Sequence, residues 1–230
     1  MSLQDRSRGL PVPVRFKRHS YGLTARLVHA AATLLLLFVA AGPALAETRL
    51  VVAYGDSLMA GYGLKPGEGF APQLERALKA RGHDVRVVSA SVSGDTTAAG
   101  KQRLAWVMTG LKTRPDLVIL GLGANDMLRG LPPAAARQNL DAMISALKAR
   151  GSGVLIAGML ATPNLGKAYG NAFNSMYPAL ARKHAVPLYP FFMRGVAARK
   201  LLLLTDGMHP NATGVQVIVR SILPSVEAAL

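Results

Sequence analysis

Three histidines follow residue 46 in this sequence, and only His209 has an aspartate, Asp206, three positions before it in a loop bounded by Gly207 and Pro210. In a loop that tight the carboxylate can reach Nδ1 of the imidazole and leave Nε2 to draw a proton from a hydroxyl. His83 follows Gly82 at a helix-to-strand turn and His184 ends a helical segment, so both read as surface or helix C-terminal groups. The hydroxyl in want of a base is Ser57, in Gly55-Asp56-Ser57-Leu58. A serine is a weak nucleophile until a base stands beside it, and its attack on an acyl carbon makes an oxyanion that needs fixed donors. Ser57 can offer its own N–H, Asn125 a side-chain amide, and Gly94 a backbone N–H where a side chain would block approach. Taken singly, each residue has a plainer role: Ser57 as a helix cap, Gly94 as a turn, Asn125 as a loop brace, Asp206–His209 as a structural pair. Their joint occurrence is harder to explain structurally.

Positioning these groups falls to a regular alternation of elements. Apolar runs at 50–54, 85–88, 117–120, 154–159 and 187–192 have the continuous Val/Ile/Leu character of strands buried on both faces of a parallel sheet. Between them, Phe70, Leu74, Ala77 and Leu78 share one helical face, as do Leu140, Met143, Ile144 and Leu147, and Phe173, Met176 and Leu180. A last helix is expected from near Asn211 through Val215, Ile218 and Ile222, kinked or shortened by Pro224. Asp95 is expected to cap a helix starting near Thr96 and Asn211 to cap the last one, while Asp56 and Asp126 hold loop backbone. The pattern predicts an α/β protein, a three-layer α/β/α sandwich on a five-stranded parallel sheet of flavodoxin-like type. Ligands bind such sheets outside the carboxyl ends of the strands. Ser57 follows the first strand, Gly94 the second, Asn125 the third and Asp206–His209 the fifth, so four loops converge on one rim.

These blocks, in this order, resemble the SGNH hydrolases, the GDSL esterase/lipase superfamily, over essentially all of residues 47–230. Gly55-Asp56-Ser57-Leu58 matches the GDSL block, Gly94 the second-block glycine, Gly123-Ala124-Asn125-Asp126 the G-x-N-D block, and Asp206-Gly207-Met208-His209 the D-x-x-H block. The resemblance implies Ser57 as nucleophile, Asp206 and His209 as its acid and base, and Ser57, Gly94 and Asn125 as oxyanion donors. Ser91-Val92-Ser93-Gly94-Asp95-Thr96-Thr97 and 187–193 are most similar to the small periplasmic thioesterase, lysophospholipase and arylesterase branch. That implies hydrolysis of carboxyl esters or thioesters, or of lysophospholipids, through an acyl-enzyme. Asn164 and Leu165 lie in the loop that shapes the acyl pocket in that branch; Leu165 stands where a tyrosine is common, so acyl length does not transfer. The order Ser, Asp, His matches α/β-hydrolases, but their G-x-S-x-G elbow fails at Met59.

Composition narrows the setting. Residues 1–26 carry six basic residues and one acid, an apolar run follows from Leu27 to Ala41, and Ala44-Leu45-Ala46 forms an A-x-A site. This is the pattern of a secretory signal peptide over residues 1–46, cleaved after Ala46, with a periplasmic or secreted domain at 47–230. The apolar run is short for a membrane span, and an uncleaved anchor is the alternative. The full chain carries a formal charge of +15; residues 47–230 hold 21 basic and 11 acidic residues, a net of +10. The cations are scattered with little aromatic interleaving, which fits a solvated basic surface and not a nucleic-acid site. The absence of cysteine excludes disulfides, thiol catalysis and thiolate metal sites. No cofactor is expected, nor a metal, because no second histidine or carboxylate stands at ligand spacing. The expected partners are small acyl esters, thioesters or lysophospholipids, and the size fits a monomer. Asn211-Ala212-Thr213 matches a glycosylation acceptor, but its place beside His209 argues against modification. A carbohydrate deacetylase using the same triad and a flavodoxin-like binding module, with a phosphate on the turn at 55–57, are the rival readings.

Overall fold

A computed structural model describes residues 48–230, together with Gly22, Leu27 and Val28. Apart from those three residues, the expected signal segment and its cleavage site lie outside the described residues. Residues 48–230 form one compact unit.

Five parallel strands build the sheet: β1 (Arg49–Gly55), β2 (Val85–Ser89), β3 (Leu117–Gly121), β4 (Gly153–Ala157) and β5 (Leu188–Tyr189), in spatial order β2-β1-β3-β4-β5. Strand alternation feeds two cores. Val51 and Ala53 point to one face, where α2 (Phe70–Lys79) and α7 (Ala212–Glu227) pack through Phe70, Leu74, Ile218 and Ile222. Leu50, Val52 and Tyr54 point to the other, which α3 (Thr97–Gly110), α5 (Pro133–Ala149) and α6 (Lys167–His184) cover. Two one-turn-scale helices, α1 (Ser57–Ala60) and α4 (Ala124–Leu128), start directly at the ends of β1 and β3. The register pairs Gly55 with Gly121, so the loops carrying Ser57 and Asn125 leave the sheet side by side. Between β1 and β3 the strand order reverses, and there the crevice of a doubly wound sheet opens.

Several expected boundaries shift. β5 holds only two residues, since Pro190 has no N–H to continue the ladder and the chain turns inward to bury Phe192 and Met193. Pro224 does not end α7, which runs on to Glu227 with Leu223 and Val226 buried on either side of the proline. Thr96, not Asp95, caps α3: its hydroxyl accepts from the Ala99 N–H, and Asp95 is taken up by an ion pair with Arg103. Asn211 caps α7 as expected, accepting from the Gly214 N–H at 2.9 Å.

Gly214 shows how tightly that cap is set. A Cβ there would lie 2.2 Å from the Leu202 carbonyl oxygen, which is backbone and cannot swing away, although it already accepts from Asn211 N–H at 2.9 Å. Gly214→Ala is expected to destabilise the fold by about 1–3 kcal/mol through overpacking, read as a lower urea midpoint. An unchanged midpoint would show that the 200–214 segment yields freely.

Candidate active site

The turn after β1 is built by Asp56. Its Oδ1 accepts the Leu58 N–H at 3.1 Å as the cap of α1, which leaves the first helical residue, Ser57, with a free N–H and an outward hydroxyl. Asp56 is 2% exposed, and burial pushes its carboxyl up to about 6. The loop before α7 approaches from the other side. Leu204 N–H donates to His209 O at 2.8 Å and Gly207, at φ +70°, makes the turn between them. Asp206 closes that loop on itself: its Oδ1 accepts from the N–H groups of Met208 at 2.9 Å and His209 at 3.0 Å. Those two backbone donors, with the imidazole, hold its carboxyl down to about 2.

The result is a continuous hydrogen-bonded chain. Asp206 Oδ2 lies 2.7 Å from His209 Nδ1, and His209 Nε2 lies 2.8 Å from Ser57 Oγ. A carboxylate can only accept, so Nδ1 carries the proton and Nε2 accepts from the Ser57 hydroxyl. The Tyr62 ring lies 4.5 Å from the imidazole, centroid to centroid, and supports its outer face. Gly94 and Asn125 face the same space as Ser57. Asn125 Nδ2 donates one hydrogen to Asp95 O at 3.0 Å, leaving a second. Gly94 sits at φ +86° with only the Arg129 guanidinium near its absent Cβ, so the left-handed backbone, and not crowding, demands glycine there. Gly123, at φ +121°, is demanded twice, because a Cβ would also meet the Tyr177 hydroxyl at 2.3 Å.

Two residues that sequence reasoning missed tie these loops together. Thr97 donates from its N–H (2.7 Å) and hydroxyl (2.6 Å) to Asp126, binding the start of α3 to the loop of Asn125. Arg103 lies over the Tyr54 ring at 4.1 Å and donates to Asp95 Oδ2 (2.5 Å), Ala90 O (2.5 Å) and Gly55 O (3.2 Å). One guanidinium therefore braces the strand ends before Ser57, before Gly94 and beside the acceptor of Asn125. A cation eight residues after Asp95, on the buried side of α3, was the available signal.

A cavity of about 460 Å³ opens from Ser57 and His209, walled mainly by apolar side chains, among them Met159, Phe191, Met193 and Leu203. Asn164 and Leu165 do not line it: Asn164 is exposed and Leu165 packs on the core beneath α6. Thr162 from the same loop does line it, and the 194–204 segment supplies Ala197, Ala198 and Leu203. His83 pairs with Glu227 at 3.2 Å and His184 with Asp141 at 2.5 Å, both outside the cavity lining. His184 ends α6 as expected and is part-buried in that pair. Among the described residues no cluster of His, Asp or Glu could hold a metal. The groups that do converge can move a hydroxyl proton to an imidazole and present N–H donors nearby, the requirements of acyl transfer.

The GDSL-like Lipase/Acylhydrolase family profile matches residues 53–217. The chain is 38% identical to Esterase TesA of Pseudomonas aeruginosa over 81% of its length and 91% of that protein. It is 35% identical to Thioesterase 1/protease 1/lysophospholipase L1 of Escherichia coli, over 77% of this chain and 82% of that one. The crystal structure of AlinE4, an SGNH-hydrolase family esterase, superposes with a TM-score of 0.69 at 46% identity, covering 81% of this chain and 99% of AlinE4.

The brace made by Arg103 is directly testable. Arg103→Met leaves Asp95 a buried carboxylate without its cation and should cost on the order of 3 kcal/mol in urea unfolding. Arg103→Lys, with one point charge in place of a fork, should recover part of it. A loss within about 0.5 kcal/mol for the methionine variant, the range of an ordinary surface substitution, would show that the guanidinium braces nothing.

Proposed function

The chain belongs to the GDSL-like lipase/acylhydrolase family and is a serine ester hydrolase, and from that premise we propose that it cleaves carboxyl esters or thioesters through an acyl-enzyme on Ser57. The observation that carries the reading is the unbroken chain Asp206–His209–Ser57 at the mouth of an apolar cavity. His209 Nε2 takes the Ser57 proton as Oγ attacks the acyl carbon. The oxyanion is met by the N–H of Ser57, the N–H of Gly94 and the free hydrogen of Asn125 Nδ2. The imidazolium, steadied by Asp206, then protonates the leaving alcohol or thiol, and a water activated by His209 releases the acid.

The cavity walls support a fatty-acyl or aryl group over a carbohydrate, because they are largely apolar, with few polar groups apart from the catalytic rim. A phosphate-binding role for the 55–57 turn is poorly supported, since the Ser57 hydroxyl is already engaged by His209. Export is supported by the basic, apolar and A-x-A pattern of residues 1–46, and residues 47–230 are then the hydrolase domain. Among the described residues no helix is long and apolar enough to cross a membrane. Every proposed catalytic group comes from one chain, so the chemistry asks for no second copy.

Ser57→Ala should abolish p-nitrophenyl ester hydrolysis while the thermal transition stays in place; an active variant would refute the assignment. Activity should also fall toward acid, since only neutral imidazole accepts the proton. Asp206, held down to about 2, stays ionised through this range and contributes nothing to the loss. Asp56, raised to about 6, does titrate there. Asp56→Asn tests its part: the acid limb should persist in that variant, and its disappearance would assign the limb to Asp56.

A further inference from the structure

Four of the large apolar side chains that the domain leaves in water line one opening, while Val92, Trp106, Leu131 and Leu201 lie outside that lining. Tyr62, Leu128, Leu160 and Met208 are 43–58% exposed, and all four line the mouth of the cavity. Beside them Leu201 is 92% exposed on a single 3-10 turn, Lys200–Leu202. It is held out and not merely loose: its carbonyl accepts from Asn211 Nδ2 at 2.9 Å, and the turn is pinned by the Leu203–Pro210 bridge next to His209. Concentrated exposed hydrophobic surface of this kind marks an interaction site.

Most of the charge around this opening is cationic. Arg199 and Lys200 immediately precede Leu201, and Arg129 reaches Gly94 O at 2.9 Å on the rim. Among the described residues none of these three is in an ion pair, whereas Glu75, Asp141 and Glu227 are matched with cations elsewhere. The acid of this opening, Asp206, is committed to His209.

We propose that this face docks on an anionic lipid surface, with Leu201 entering the apolar layer, Arg199 and Lys200 on the head groups, and the cavity mouth turned toward the lipid. Aliphatic residues flanked by cations match the two layers of such a surface. A second copy is a poor occupant, because a two-fold contact would set Arg199 and Lys200 against themselves. The proposal deepens the reading of the cavity as an acyl site and rests on it: the substrate class becomes an acyl ester presented in a membrane or micelle. It asks for no new chemistry.

The test uses residues 47–230, a unit with its own two-sided core and the extent of the AlinE4 structure. Flotation with phosphatidylcholine vesicles is compared with flotation on vesicles that also contain phosphatidylglycerol. The domain should bind the second and not the first, and added salt should release it. Arg199→Gln with Lys200→Gln should weaken binding about thirtyfold, at about fivefold per cation near an anionic surface, and Leu201→Asp should weaken it further. Hydrolysis of a soluble short-chain ester should be unchanged in these variants, while hydrolysis of a long-chain ester carried in phosphatidylglycerol vesicles falls. Ser57→Ala should float like the parent domain, so that loss of catalysis and loss of docking are told apart. Equal binding to both vesicles, no binding to either, binding that survives the three changes, or a concentration-dependent dimer that hides this face would overturn the proposal.

Discussion

Everything in the site hangs on one hydrogen bond, His209 Nε2 to Ser57 Oγ, between residues 152 positions apart in the chain. Neither end is free to drift. Ser57 is fixed by the cap that Asp56 makes on α1, and His209 by the Asp206 turn and the Leu204–His209 pairing. The sheet supplies the remaining constraint. β1 pairs with both β2 and β3, so the loops of Ser57, Gly94 and Asn125 leave three adjacent strands at one edge. The Thr97–Asp126 bonds and the fork of Arg103 then lock those loops to one another. Preorganisation is what gives donors their value toward a developing oxyanion, because no reorientation remains to be done during reaction.

The two aspartates nearest the proposed nucleophile and base show how environment divides one residue type into opposite roles. Asp56 is buried with a single short-range donor, and desolvation raises its carboxyl to about 6. Asp206 is at the surface with two backbone N–H groups and an imidazole pointing at it, and falls to about 2. For Asp56 the folded state binds the proton more tightly than the unfolded chain. Its contribution to stability is therefore present below the ordinary aspartate range and lost as pH rises through about 6. For Asp206 the sense is reversed: its contribution is present above that range and lost as pH falls toward about 2. Only the second touches the imidazole, and it remains a hydrogen-bonded carboxylate beside the ring throughout the neutral and mildly acidic range.

Much of this was legible in the sequence, and for identifiable reasons. Continuous runs such as 117–120 left little choice but a two-sided parallel strand, and helical spacing at Leu140, Met143, Ile144 and Leu147 was unambiguous. Ser57, Gly94, Asn125, Asp206 and His209 could be gathered because a parallel sheet sends its ligands to one rim; in the structure four of them line one cavity and Asp206 stands behind His209. What escaped depended on long-range packing. Asp95 looked like a cap because Asp favours that position; an arginine two turns on claims it instead. Leu165 looked like a pocket residue by position in its loop, but the core beneath α6 takes its side chain, and the 194–204 segment forms the wall. Gly94 was expected for lack of a side chain and is required for its backbone angle. Pattern gives periodicity and chemistry; it does not give which of two apolar destinations a side chain fills.

The central claim is that Ser57 carries the acyl group, and covalent trapping tests it most directly. The domain is treated with a fluorophosphonate, which captures an activated serine, then digested and read by mass spectrometry. The account predicts one adduct, on the peptide holding Gly55-Asp56-Ser57-Leu58, formed in step with loss of ester hydrolysis. An adduct on any other residue, or full inactivation with Ser57 unmodified, would contradict it.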